Sequence, residues 1–461
     1  MRHFNVEVER CACQPGSLAP PPSLGEAAGS RDSSLEGKRV AMVTFSFFPG
    51  DPRPRRAAEA LARNGMRVDM ICLAETDRDV RIELLNGIEV VRIPLKRRRG
   101  SVFSYCFQYF AFLLLTAKTL AARSMRRRYD LVYVHNMPDF LVLSALVPKI
   151  LGARVILDLH DPMPELMMTI FELRQDAWPV RLLKVVEKWS IALADSVVTP
   201  NRAFVNLFIS RSCTSEKMNV VMNSPDERIF PRRSAGAEPV RGRSLRSPFV
   251  IMYHGSLVER NGLDLAVDAL AKARKRIPDA ELRIYGARTP FLDRVMESVR
   301  SQGLEPAVRY FGSKSLEQLV PAIAECDVGI IPNHRNVFTE LNMPTRIFEY
   351  LAVGKLAISP RAKGICDYFD DSSMVFFELG NAEDLAQKLE YVFSHPAEVS
   401  ETIRRGQLVY EQHTWHAERR RLTSLVSRLL CKGPIPAGSV PLEAKSQKAG
   451  EKPLIREYSD V

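Results

Sequence analysis

The sequence predicts an α/β protein made of two consecutive series of parallel strands and helices. Three observations carry this prediction. Lys38–Phe45 is a buried-strand run; a loop at Phe48–Arg55, a helix at Arg56–Asn64 closed by Gly65, and a strand at Arg67–Leu73 follow it. That strand–loop–helix–strand order is a parallel α/β unit. The same order returns with the strand Phe249–His254, the turn Gly255–Gly262, the helix Leu263–Arg274 and the strand Ala280–Tyr285. Between the two series, residues 227–248 turn rich in Arg and Pro with little apolar content, as a linker or surface loop does.

Taken in order, residues 1–37 are rich in Pro, Ser, Gly and Ala without periodicity and are expected not to fold. The loop at Phe48–Arg55 follows the carboxyl end of the first strand, where parallel sheets bind ligands. It carries Asp51, Arg53 and Arg55, and would equally suit a solvated, Pro-stiffened connection. Val102–Ala122 is the least polar stretch, with basic flanks at Lys96–Arg99 and Arg123–Arg128. Three readings of it stand: a buried helix of the first domain, a helix lying on anionic lipid, and a membrane span. Gln108, Thr116 and Lys118 count against the span. Tyr129–Val134 and Ala153–Leu159 are strands that end in His135-Asn136 and His160-Asp161. A His at such an end faces the ligand side of the sheet, although a lone His is more often a satisfied core residue. His160-Asp161 followed by Glu165 points to function. Two more strand ends lie at 195–201 and 220–226.

In the second half, Gly255, Ser256 and the residues up to Gly262 form a strand-to-helix turn, with Arg260 and Asn261 inside it. Small residues there let backbone N–H groups approach a phosphate. Ala280–Tyr285 ends at Gly286; Val308–Gly312 and Asp327–Ile331 are further strands, and Glu317–Cys326 is the helix between them. Thr339–Ser359 organises the rest. Pro344 suits a first helical position, Thr345–Ala352 continues as helix, Gly354 caps it and Leu356–Ser359 is a short strand. Arg346 and Glu349 are three apart and share a helix face. A helix N-terminus with an Arg in its first turn attracts anions, and Glu349 can accept two hydrogen bonds from a diol. A phosphate followed by a ribose suits this face; a surface helix with an i,i+3 ion pair is the other reading. Ala382–Ser394 and Ala397–Glu411 are amphipathic helices, and 433–461, polar and rich in Pro and Lys, is expected not to fold.

The chain has 461 residues, 46% hydrophobic and 26% charged, which is ordinary for a globular protein of two to three domains. The first thirty residues lack the apolar core of a secretory signal. The eight Cys are scattered without metal-type spacing or a disulfide framework, so a reducing cytoplasm is expected and no metal site is assigned. The net charge of +11 suits phosphorylated substrates or an anionic membrane surface; no nucleic-acid motif accompanies it.

Pro344–Lys355, with its Pro-Thr-Arg-x-Phe-Glu-Tyr-x-Ala-x-Gly-Lys run, resembles the donor-sugar segment of glycosyltransferase family 4. Glu349 matches the second Glu of that family's pair; Leu341 stands where the first is expected, with Glu340 beside it. Asp158–Glu165 matches the family's Asp-x-His-Asp/Glu-x-x-Pro-Glu segment. The turn after Phe249–His254 is similar to Gly-Arg-Leu-x-x-x-Lys-Gly, with Ser256 in the place of the Arg, Asn261 in the place of the Lys, and Arg260 one residue earlier. The resemblance covers about Lys38 to Leu430.

It implies the GT-B fold: two Rossmann-like domains facing a cleft, with C-terminal helices crossing back to the first. The implied boundaries are an acceptor-binding domain at 38–226, a linker at 227–248, a nucleotide-sugar domain at 249–405 and a returning helix at 406–432. The implied activity is transfer of a sugar, with retention, from a nucleotide-sugar donor to a glycan or lipid-linked acceptor in polysaccharide or glycoconjugate synthesis. The nucleotide-sugar is then a substrate, and no cofactor is called for. Without a metal motif, cations must stabilise the leaving diphosphate, which assigns Arg260 and Arg346. His160 would contact the donor sugar or orient the acceptor hydroxyl, and Glu349 would hold the ribose. Gly255, Ser256, Asn261, Gly286, Glu340, Pro344 and Thr345 complete the expected donor site. Asp51, Arg53, Arg55, His135, Asn136 and Asp161 form the expected acceptor site. The expected location is the cytoplasm, free or peripheral on the inner face of the membrane. A nucleotide-sugar epimerase on the same fold and a non-catalytic scaffold subunit remain as alternatives.

Overall fold

Runs of Val, Ile, Leu and Met without polar alternation make strands buried on both faces, and here they assemble into two separate sheets. The computed structural model describes residues 33–76, 78–95, 102–233 and 248–431. The first sheet holds β1 (Arg39–Phe47), β2 (Arg67–Leu73), β3 (Ile82–Leu85), β4 (Ile88–Ile93), β5 (Leu131–His135), β6 (Arg154–Asp158), β7 (Ser196–Thr199) and β8 (Met218–Val220). Its order is β3-β4-β2-β1-β5-β6-β7-β8. All pairs are parallel except β3–β4. That hairpin, which the sequence reading passed over, turns on Asn86-Gly87 with φ of 51° and 79°, the dipeptide such turns favour. Around the sheet lie α1 (Pro52–Arg63), α2 (Val102–Arg126), α3 (Leu146–Ile150), α4 (Met163–Phe171), α5 (Trp178–Leu193) and α6 (Arg202–Arg211).

The second sheet is wholly parallel, in the order β11-β10-β9-β12-β13-β14. Its strands are β9 (Phe249–His254), β10 (Ala280–Tyr285), β11 (Val308–Tyr310), β12 (Val328–Ile330), β13 (Ala357–Pro360) and β14 (Phe376–Phe377). Its helices are α7 (Leu263–Ala273), α8 (Pro290–Ser301), α9 (Leu316–Glu325), α10 (Arg346–Ala352), α11 (Lys363–Cys366), α12 (Ala382–Ser394) and α13 (Pro396–Glu411). The last helix, α14 (Trp415–Leu430), leaves this domain and lies on the first. Its Trp415, Leu422 and Val426 share one core with Val40, Met42 and Leu61. The chain is thus two parallel α/β domains joined again by its C-terminal helix.

Several local expectations are corrected. The helix after β1 begins at Pro52, not Arg56, because Asp51 caps it by accepting from the Arg53 N–H; Arg53 and Arg55 are therefore helical. The helix of the organising stretch begins at Arg346, with Thr345 as its cap and Pro344 outside. Residues 33–35 form a 3-10 turn whose Leu35 is fully buried beside α14, and 36–37 continue to β1 with the Gly37 N–H donating to the Gly65 carbonyl; residues 1–32 of the expected unfolded segment lie outside the described residues. Residues 227–233, expected in the linker, fold onto the second domain: Phe230 is buried in its core and the Arg233 N–H donates to the Ala352 carbonyl. Residues 234–247 and the expected tail at 433–461 lie outside the described residues. The return to the first domain is made by α14 from Trp415, whereas 406–411 end α13, which packs under α10. No helix among the described residues is long and apolar enough to cross a membrane, which removes the spanning reading of Val102–Ala122. One face of α2 is instead packed in the first domain through Phe112, Leu113 and Leu120.

Candidate active site between the two sheets

On the second domain the site is built around the end of β9. Its last residue, His254, is 3% exposed and lies between two side chains of α10. Tyr350 donates its hydroxyl proton to the Met252 carbonyl at 2.8 Å. Nδ1 of His254 lies 2.9 Å from that hydroxyl oxygen, and Nε2 lies 2.6 Å from Oε2 of Glu349. Oε1 of Glu349 has no hydrogen-bond partner among the described residues. Arg346 and Glu349 do not pair with each other. Arg346 instead donates from Nη1 to the His254 carbonyl at 2.7 Å and lays its guanidinium 4.9 Å over the Tyr253 ring. Gly255, at φ +129°, makes room for this: a Cβ there would meet Arg346 at 3.2 Å.

Arg260 sits in the turn that follows, on a 3-10 segment at Glu259–Asn261. Burial pulls it below the usual guanidinium range, opposed by Asp161 of the first domain and by Tyr253. Tyr253 thus lies beside both expected cations. Asn261 donates to the Ser256 carbonyl at 2.8 Å and holds the turn, while Ser256 itself is exposed. Gly286 is engaged through its backbone with Gly312 and the Tyr310 hydroxyl. Glu340 turns to α11, accepting from the Lys363 N–H at 3.3 Å. Leu341 packs against the first domain's core, and its carbonyl accepts from Asn201 at 3.2 Å. The position where a carboxylate was expected is therefore a contact between domains. Phe338 beside Phe204 and Thr169 donating to Asn336 extend that contact.

On the first domain the ends of β5 and β6 surround Asp158, which is 1% exposed. Arg53 donates to it from Nε and Nη2, the shortest bond being 2.7 Å, and Tyr133 donates at 2.9 Å. Burial alone would raise Asp158, but Arg53 and the two neighbouring His outweigh it and hold the carboxylate well below its usual range. His135 is fully buried, and burial lowers it to about 4 against the pull of Asp158, so it is neutral at pH 7. Its Nδ1 is 2.9 Å from Nε2 of His160. That contact leaves Nδ1 of His160 as its nitrogen for a ligand. Asn136 accepts from the His160 N–H and donates to the Asp161 carbonyl and to Asp139, so it ties the two strand ends together.

Six expected acceptor contacts therefore divide. Arg53, His135 and Asn136 are 8%, 0% and 5% exposed and act behind the site. Asp51 caps α1 and Arg55 pairs with Glu59 along that helix. Asp161 is only half-buried, beside His160 and facing Arg260. Nδ1 of His135, Oδ2 of Asp158 and Nε2 of His160 lie within 4.8 Å of one another, as metal ligands can. Arg53 already neutralises Asp158, and the two imidazoles are hydrogen-bonded to each other, while Nε2 of His135 is buried without a hydrogen-bond partner among the described residues. The sequence reading missed His254 and Tyr253. The signal was present: Phe249–His254 is a third strand ending in His, by the same rule that singled out His135 and His160. Asp158 stood at the head of the Asp158–Glu165 family match but was given no role there, and Phe338 carried no signal.

Comparison with known proteins gives relatives for both domains and for the fold. Residues 51–224 match the family described as glycosyl transferase 4-like domain, and 248–395 match glycosyl transferases group 1. The chain is 22% identical over 281 residues to a probable glycosyltransferase WbjE of Pseudomonas aeruginosa, covering 60% of this chain and 68% of the relative. It is 24% identical over 265 residues to a D-inositol 3-phosphate glycosyltransferase of Corynebacterium kroppenstedtii, covering 54% and 57%. Its fold is shared with a sucrose-phosphate synthase from Thermosynechococcus elongatus, at a TM-score of 0.70 and 17% identity over 85% of this chain and 99% of that one. It is also shared with Anabaena Alr3699/HepE, solved with UDP-glucose, at 0.63 and 15% over 85% and 99%.

Proposed function

The chain belongs to the family-4-like glycosyltransferases, and from that premise we propose that it transfers a sugar from a nucleotide-sugar to a glycan or lipid-linked acceptor with retention. The observation that carries this reading is the shared anchoring of Arg346 and Glu349 on His254, beside the close backbone of Gly255. In the proposal, Oε1 of Glu349 takes the ribose. Arg346 and Arg260 meet the charge that grows on the leaving diphosphate as the anomeric bond breaks. His160 and Asp161 face the sugar and the incoming hydroxyl from the other domain, and the leaving phosphate helps take up the acceptor's proton. Neighbours of this fold have been solved with UDP and UDP-glucose, so a uridine nucleotide is the first donor to test. The matched families and relatives are glycosyltransferases, which favours transfer over epimerisation or a scaffold role.

The test is turnover and calorimetric donor binding for the parent, Arg346→Ala and Glu349→Ala. Loss of Arg346 removes an interaction made mainly in the transition state, so kcat falls about 10²–10³-fold. Glu349 holds a group that does not change in the reaction, so its loss mainly raises the donor KM. Parent-like binding and turnover in both variants would place the donor site elsewhere.

A further inference from the structure

The first domain carries an apolar face that the cleft does not use. α5 exposes Trp178 (75%), Leu182 (52%), Val185 (46%) and Trp189 (73%). Their spacing puts them in one line along the helix, while Val180 and Ile191 on its other side are buried. The segment 139–145 packs on both α5 and α2 and runs into α3, where Ile150 is 81% exposed. Beyond it, α2 exposes Phe107 (71%) and Phe110 (56%). Three neighbouring elements thus turn large apolar side chains outward on one side of the domain. Contiguous exposure of this kind marks a contact surface.

The charges around it select the partner. Arg181, Lys184 and Lys188 flank the apolar line of α5. The one acid of that helix, Glu187, is turned inward to Arg211. Residues 102–128 contain no acid and end in exposed Arg126, Arg127 and Arg128. Bordering acids Asp176 and Asp195 are paired to Arg174 and Lys149, and Glu172 at the edge has no ion pair among the described residues. An apolar line with cations beside it and a Trp near each end is the pattern of a helix lying in a bilayer interface. We propose that α5, with α3 and α2, docks the protein on an anionic phospholipid surface. This surface is separate from the donor chemistry of the cleft and does not rest on it.

The test uses the full chain and sedimentation with phosphatidylcholine vesicles, with and without phosphatidylglycerol. Binding is expected to the anionic vesicles only, and to weaken strongly toward about 1 M salt, where charges more than about 3 Å apart are screened. Bound protein should show blue-shifted emission, because two of the three Trp lie on this face and Trp415 is buried. The double variant Trp178→Ser/Trp189→Ser and the double reversal Lys184→Glu/Lys188→Glu should each bind about ten-fold or more weakly. Their side chains are largely outside the core, so the unfolding midpoint and any donor turnover should stay at the parent's level. Three results would overturn the proposal. The parent could stay in the supernatant with anionic vesicles at low salt, or both variants could bind like the parent. The third is a dimer in solution that the Trp variant dissociates, which would assign the face to a second copy.

Discussion

At the scale of residues, the first domain's half of the site sets two buried groups against each other. His135 has its pKa lowered from 6.5 to about 4, chiefly by burial. Between those values the unfolded chain binds the proton and the folded chain does not, so stability from His135 is present above pH 6.5 and is lost toward pH 4. Asp139 is raised from 3.8 to about 7, again chiefly by burial and against the hydrogen bond from Asn136. Here the folded chain holds the proton, so stability from Asp139 is present below pH 4 and is lost toward pH 7. Each contribution is about 3–4 kcal/mol in full, and the two largely cancel in the parent. Denaturant unfolding of His135→Gln should show stability falling from pH 4 to 7. Asp139→Asn should show it rising over the same range. Equal slopes in the two variants would contradict the assignment. From the sequence His135 was assigned as a ligand contact, with a core His as the general alternative, and Asp139 was given no role.

At the scale of elements, α1 shows how a short shift in a helix start changes what its residues do. With Asp51 as cap, Arg53 and Arg55 fall in the first turn, two residues apart, and point to different sides. Arg53 turns inward to Asp158, while Arg55 runs along the surface to Glu59. Removing Arg53 leaves a buried carboxylate without its cation, and Arg53→Ala should cost about 3–5 kcal/mol by chemical denaturation. Arg55→Ala should cost about 0–1 kcal/mol, because an i,i+4 pair near the surface is screened. Similar losses for both would mean that Asp158 is not held as described. The same logic separates the residues around α10. Glu349 in the helix turns to β9, and Glu340 in the loop before it turns to α11.

At the scale of the whole molecule, α14 makes the first domain depend on the end of the chain. Leu422, Leu425, Val426 and Leu429 of this helix are buried against α1 and β1, and Trp415 stacks near Arg56. Each such side chain contributes about 1.5–3 kcal/mol, and a domain's net stability is only about 5–15 kcal/mol. A chain ending at His413 should therefore lose cooperative unfolding of the first domain, read by calorimetry as a missing or broadened transition. A truncation there that unfolds like the full chain would show that α14 is dispensable. Leu341 and Phe338 add a second join, since the loop before α10 packs apolar side chains on the first domain's core.

By itself the sequence determined the two α/β series, nearly every parallel strand, and the polar residues at the strand ends. These follow from local pattern: apolar runs of strand length, Gly after a helix, and His or Asp where a run stops. Tertiary structure alone decided which of those polar residues face the cleft. Arg53 is drawn inward by a carboxylate 105 residues away, and Leu341 is held by Asn201, 140 residues before it. Glu349 is oriented by His254, 95 residues before it. A side chain's partner, and hence its burial and charge, is set by whichever element the fold lays beside it, and no window of neighbouring residues contains that element.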